Sequence, residues 1–594
     1  MAAVGNTRKL TILAQDPGVR LRNRLAFTQV VVPREDLAPG PVGYRIKVVD
    51  FDATANVLYD TLEYKCDKDG EPVDPFAPPA RKQSAKARQA WEARLLADPT
   101  FHAQNVYAIV MRTLARFEFA LGRRVSWGFT GHQLHVSPHA FCDANAFYSE
   151  DDRALLFGYF RSARDRKRTV FTCLSHDIVA HETTHALLDG LRDGFTDPST
   201  PDQAAFHEGF ADVVALLSIF SLPEIVEIAI TKGKGIARTR NRIRLIPIGS
   251  VTEDALKNSI LLGLGKEFGT HMEGSRQNCL RRSVELAPNR SMLRTMTEEH
   301  DRGEVFAAAM LRSFLALWTR RIAGLGTFEG NKYNLDMVIE EGTRAAEDLL
   351  TMAIRALDYC PPVDLAFGDY LSAMLTADAE VSPGDQFGYR PLLLKTFRSY
   401  GIDPPAQHTD ATTGCWTEFA GNAEIAYNRT NFETMLRDRE EVFRFLWENR
   451  NVLKIDDRGY TRVSWVRPAV RQGPDGFFLR ETVCEYVQVA ELFAAEAESF
   501  LGAQRPEGMS TRQSITAYGG GTLIFDQYGR IKYHIEHRLD DANRQSARLE
   551  FLWASGLIDQ PKDARNQFAN IHRGRADADL SRSIPQGKRK LGGR

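Results

Sequence analysis

Two histidines four residues apart, with a glutamate beside the first, occur in the run SHDIVAHETTHALLDG (175–190). On a helix, positions i and i+4 share a face, so His181 and His185 can bind one metal ion. Glu182 sits one residue along, where its carboxylate reaches a metal-bound water rather than the metal. Zinc lowers the pKa of such a water towards neutrality, and a carboxylate can take its proton as it attacks a carbonyl.

Two histidines leave zinc short of a third protein ligand. The run Phe206-His207-Glu208-Gly209-Phe210-Ala211-Asp212 supplies one. Glu208 and Asp212, four apart, share a helix face. Glu208 can bind the metal while Asp212 accepts a hydrogen bond from the far nitrogen of a ligand histidine, fixing its tautomer. His207 points elsewhere and stays outside the ligand set. A His2Glu set with one position open is catalytic rather than structural.

These residues need a scaffold. At 594 residues the chain is too long for one ordinary core. With 76 basic against 77 acidic side chains it lacks the charge of a nucleic-acid or membrane-surface binder. No apolar run is long enough to span a bilayer. The amino terminus has no signal-peptide core, and seven scattered cysteines form no CxxC pair. A cytoplasmic protein with reduced thiols is the expectation, without nucleic acid or membrane.

Strand patterns occupy 20–65, notably 44–50 and 56–59, and 132–160, and 71–83 reads as a proline-rich loop or linker. Helical periodicity covers 101–121, with Gly122 as its stop, then 174–189, 203–220, 303–320, 335–358 and 366–378. A second boundary falls at 401–415. Beyond it the pattern predicts a helix at 430–449, strands at 461–467 and 476–482, a helix at 486–501 and a hairpin over 522–536.

HETTH followed by HEGFAD resembles the gluzincin metallopeptidases of the thermolysin/fungalysin-like group, which are His2Glu zinc enzymes. The resemblance runs over roughly 40–400, strongest at 143–160, 173–213 and 296–312. It implies that Asn145-Ala146-Phe147-Tyr148 is an edge strand holding an extended peptide beside the zinc, with Asn145, Ala146 and Tyr148 as substrate contacts. It also implies that His300 stabilises the oxyanion, and that Arg282 binds a substrate carbonyl, with Arg281 nearly as good a match. The family's carboxylate that orients this histidine is replaced by Thr295, leaving Glu298, Glu299 or Asp301 to substitute. No tyrosine lies between His185 and Glu208, so the family's tyrosine donor has no counterpart there. The usual secretory signal and long pro-segment are not found, and residues 406–594 align with nothing in the family.

The expected fold is α+β, a thermolysin-like pair of lobes with an additional α/β C-terminal domain. Residues 1–95 form a β-rich segment and linker, 96–220 the catalytic lobe and 221–400 a mainly helical lobe. Residues 406–594 form an extension that regulates the enzyme or recruits substrate or a protein partner. The expected activity is that of a zinc metalloendopeptidase acting on peptides or proteins through one Zn2+, with calcium left open. Two alternatives keep the same ligands: an inactive zinc-binding interaction protein, and a zinc hydrolase of a non-peptide amide.

Overall fold

The computed structural model describes residues 7–558 apart from 261–282 and short stretches at 19, 22–23, 67, 69–72, 80–83, 163–167, 232–235, 240–241, 284, 297 and 329. The fold is mixed α+β, and no single described helix is long and apolar enough to cross a membrane. The six described cysteines form no disulfide.

The first long helix, α1 (Pro99–Leu121), is capped by Asp98 and stopped by Gly122, whose φ of 68° is the left-handed conformation that favours glycine. Strands β1 (Thr7–Leu13) and β2 (Phe27–Pro33) pair antiparallel and pack against it. The proline-rich stretch is not a free linker. Asp74 accepts hydrogen bonds from Thr11 and Gln104, and Phe76 is buried in the main core. The bond to Gln104 ties residues 1–95 to α1.

A five-stranded sheet follows: β3 (Ile46–Val48), β4 (Leu134–Phe141), β5 (Ala146–Ser149), β6 (Ala154–Arg161) and β7 (Thr169–Phe171). β3 and β6 run parallel to β4, while β5 and β7 pair antiparallel with β6. α2 (His176–Leu191) packs against β5, and α3 (Pro201–Phe220) packs on α2. α3 is apolar nearly all round and buried from Ala205 to Phe220, as a helix enclosed on every side must be. α4 (Glu299–Ala323), α5 (Leu335–Ala356) and α6 (Phe367–Val381) complete the helical layer, all three packed against α3.

The extension carries β8 (Tyr460–Gln472), β9 (Phe478–Phe493), β10 (Ser514–Phe525) and β11 (Ile531–His537) in one sheet. Every pairing in it is antiparallel, so this part is α+β rather than α/β. The helix expected at 486–501 is strand in its first half: β9 continues to Phe493, and a 3-10 turn (Ala494–Glu496) and a short helix (Ala497–Leu501) follow. Glu485, Ala490 and Glu491 favour helix intrinsically, but β9 is hydrogen-bonded by β8 on one side and β10 on the other.

Nor does the extension stand apart. Ile524, Tyr533 and Ile535 belong to the main core. Arg471 pairs with Asp358 and Glu481, Arg123 with Asp358, and Arg192 with Glu485, all buried. Tyr359 donates to Glu481 at 2.7 Å, and Val470 N–H donates to the Gly122 carbonyl at 3.0 Å.

Candidate metal centre

α2 and α3 bring the sequence-predicted ligands together. The hydroxyls of Thr183 and Thr184 turn back onto the carbonyls of Val179 and Ala180, four residues earlier in α2. His181, Glu182 and His185 are all buried. His181 Nε2 and His185 Nε2 each stand 3.4 Å from a different oxygen of Glu208. Ligand atoms of His181, His185 and Glu208 all lie within 4.8 Å of one another, so the group could hold a metal ion.

The outer ring nitrogens are engaged. His181 Nδ1 lies 3.0 Å from Asp212 Oδ1, the position expected from the i, i+4 spacing of Glu208 and Asp212. His185 Nδ1 lies 2.8 Å from His207 Nδ1, with the two rings stacked. With Nδ1 held outward on both rings, both Nε2 atoms face the Glu208 carboxylate. Two imidazoles, a carboxylate and outer hydrogen bonds fixing the tautomers are what a zinc site requires. His207, set aside as a ligand in the sequence reading, thus acts on His185.

β5 runs beside α2. The Tyr148 N–H points away from β6 and donates to Glu182 Oε2 at 3.1 Å. The Tyr148 side chain turns inward, its hydroxyl donating to Asp189 at 2.7 Å, so only its backbone faces the metal side. Burial, then the Asp189 carboxylate, push that phenol well above its usual range. The Asn145 side-chain oxygen accepts the Ala146 N–H at 2.9 Å, and its carbonyl accepts Gly158 N–H.

His300 lies in the first turn of α4. Its Nδ1 is 2.7 Å from Glu298 Oε1, and the other oxygen of Glu298 caps the helix by accepting Asp301 N–H at 2.8 Å. Burial would raise the Glu298 carboxyl, but the hydrogen bonds from His300 and Asp301 outweigh it and hold it at about 2. Of the three carboxylates open to this role, Glu298 is the one placed to orient His300. Thr295 instead bonds its own turn through the Met292 carbonyl. Arg302, two residues past His300, ties the helix start to Asp202 of α3 and to the carbonyls of Leu293 and Met296. Burial raises the Glu299 carboxyl; His300 opposes this, while Glu298 and Glu208 add to it, so this turn lies within the field of the metal-side carboxylate. Arg281 and Arg282 lie outside the described residues.

No family model matches the sequence, and no curated protein matches it.

Sequence reasoning missed the role of His207 and left that of Glu298 open. The signal for Glu298 was present, as an acidic residue at a helix N-cap two before a histidine. For His207 there was none, because its partner sits on another helix.

Proposed function

We propose that this chain is a zinc metalloendopeptidase of thermolysin-like, two-lobed design that hydrolyses peptide bonds in the cleft bordered by β5, α2 and α4. The observation that carries this reading is the single cluster formed by His181, His185 and Glu208, with Glu182 held between it and the outer edge of β5. When bound, zinc supplies a Lewis acid that acidifies water and polarises a carbonyl.

The chain's own residues do the rest. Asp212 and His207 keep both ligand rings in one tautomer. An extended peptide laid along β5 by strand addition would compete with Asn145 Oδ1 and Glu182 for the Ala146 and Tyr148 N–H groups. Glu182 takes a proton from the attacking water and returns it to the leaving amine. In its imidazolium form, His300 donates one N–H to Glu298 and the other to the oxyanion.

The test is cleavage profiling of a diverse peptide mixture by mass spectrometry, wild type against Glu182→Gln. The variant should keep its zinc and lose at least about a hundredfold in turnover, within general-base magnitudes. Turnover retained in Glu182→Gln would reject the mechanism. Zinc bound with no cleavage by either protein would favour the non-enzymatic alternative.

A further inference from the structure

A second group of potential ligands lies away from this centre: His102 of α1, His139 of β4 and Cys173, two residues before the N-cap of α2. A ring nitrogen of each histidine and the Cys173 sulfur lie within 4.8 Å of one another, and all three residues are at most 1% exposed. The rings of Phe171 and Tyr59 pack around the histidines.

The outer hydrogen bonds fix both tautomers. His102 Nε2 lies 3.1 Å from the Leu96 carbonyl, which can only accept, so Nε2 carries the hydrogen. His139 Nδ1 lies 2.7 Å from Asp50 Oδ2, and the other Asp50 oxygen accepts the His139 backbone N–H at 2.9 Å. Asp50 thus takes the backbone N–H on one oxygen and the ring on the other, so His139 Nδ1 carries its ring hydrogen. A neutral imidazole has one N–H, so the two inner nitrogens are both lone pairs. They face each other at 2.8 Å. Two buried lone pairs at that separation repel unless a cation lies between them.

That cation is a proton or a metal ion, and Cys173 favours the metal. A bridging proton uses two nitrogens and gives the converging sulfur no role, whereas a metal uses all three donors. Carboxylate and backbone-carbonyl acceptors on the outer nitrogens are also what metal-ligating histidines carry. A divalent ion, a Cys173 thiolate and the Asp50 carboxylate sum to zero charge, which a buried cluster needs.

We propose that His102, His139 and Cys173 bind a second metal ion, of zinc type, with Asp50 and the Leu96 carbonyl orienting the rings. A thiolate with two imidazoles suits zinc rather than magnesium or calcium. Two nitrogens on one zinc stand about 3.3 Å apart, so binding parts the rings by a few tenths of an ångström. The ion joins α1, β4 and the turn that launches α2, and fixes where the helix of His181 and His185 begins. The site is built from different residues and holds whether or not the first centre is catalytic.

The full-length chain, loaded with zinc or cobalt(II), gives the test. Wild type should bind two ions per chain and Cys173→Ser one. Cobalt-loaded protein should show a near-ultraviolet thiolate-to-cobalt band, because the His181, His185 and Glu208 centre has no sulfur. His185→Gln should also fall to one ion yet keep the band, and Cys173→Ser should lose it. If Cys173→Ser does not fold, X-ray absorption of zinc-loaded His185→Gln decides through its sulfur scatterer. Absence of the band and of sulfur at the zinc would overturn the proposal and leave a proton between the rings.

Discussion

Gly209 of α3 and Gly303 of α4 face each other with no room for a side chain between them. A β-carbon on Gly209 would lie 2.9 Å from the Gly303 carbonyl oxygen, and one on Gly303 would lie 3.0 Å from that of Ala205. Gly209 adjoins the ligand Glu208, and Gly303 is three residues past His300. The closeness of these two backbones therefore sets how the His300 turn sits against the metal centre.

Gly303→Ala should push α4 off α3 by a few tenths of an ångström. Peptide turnover should drop about tenfold or more while zinc content stays unchanged, since small misplacements of catalytic groups cost that much. Steady-state kinetics with metal analysis reads both. Wild-type turnover in a folded Gly303→Ala protein would contradict the assigned role of this contact.

His207→Ala removes the partner of His185 Nδ1 without removing a ligand. Zinc affinity should weaken by about 10–100-fold, the usual cost of losing such a partner, and Asp212→Ala should behave alike through His181. Competition against a chelator of known affinity measures this, and unchanged affinity in both would show that the rings are held some other way.

Glu298→Gln should lower kcat with little change in KM, because it releases His300 without altering β5. It also has a pH signature. The Glu298 carboxyl falls from its ordinary 4.5 to about 2 on folding, so the stability it contributes is complete above pH 4.5 and is lost on acidification from there towards 2. Its side chain is 54% exposed, so the gain is at most about 1 kcal/mol. The melting-temperature gap between wild type and variant should be widest at neutral pH and shrink below 4.5. A gap constant across that range would mean the carboxyl titrates normally.

Ending the chain at residue 405 should abolish folding rather than unleash activity. Asp358 would keep Arg123 but lose Arg471, Arg192 would lose Glu485, and the core surface that Ile524, Tyr533 and Ile535 cover would be bared to water. Glu481→Gln, which weakens one node of that network, should lower stability while leaving the metal centre loaded. Soluble, zinc-loaded truncated protein with raised turnover would restore the view of the extension as a brake.

Much of the scaffold could be read from periodicity. The pattern over 101–121 became Pro99–Leu121, and that over 174–189 became His176–Leu191, each within two residues at either end. Helix spacing also placed Asp212 beside one of the two histidines, which is His181, because Glu208 and Asp212 share a helix face. What could not be read depended on partners distant in sequence. β9 is a strand because two neighbours pair with it, and His207 reaches His185 only because α3 packs on α2. The proline-rich stretch looked like a linker until Asp74 found Thr11 and Gln104.

Arg192 closes the end of the helix that carries His181 and His185, and its partner Glu485 lies 293 residues further along. During synthesis, the helix leaves the ribosome long before the strand that neutralises this buried guanidinium. The loop to be closed is long, so the pairing comes late. A nascent chain therefore holds the residues of the metal centre before it holds the structure that fixes them. The end of that helix is thus secured only once the strand carrying Glu485 has been made.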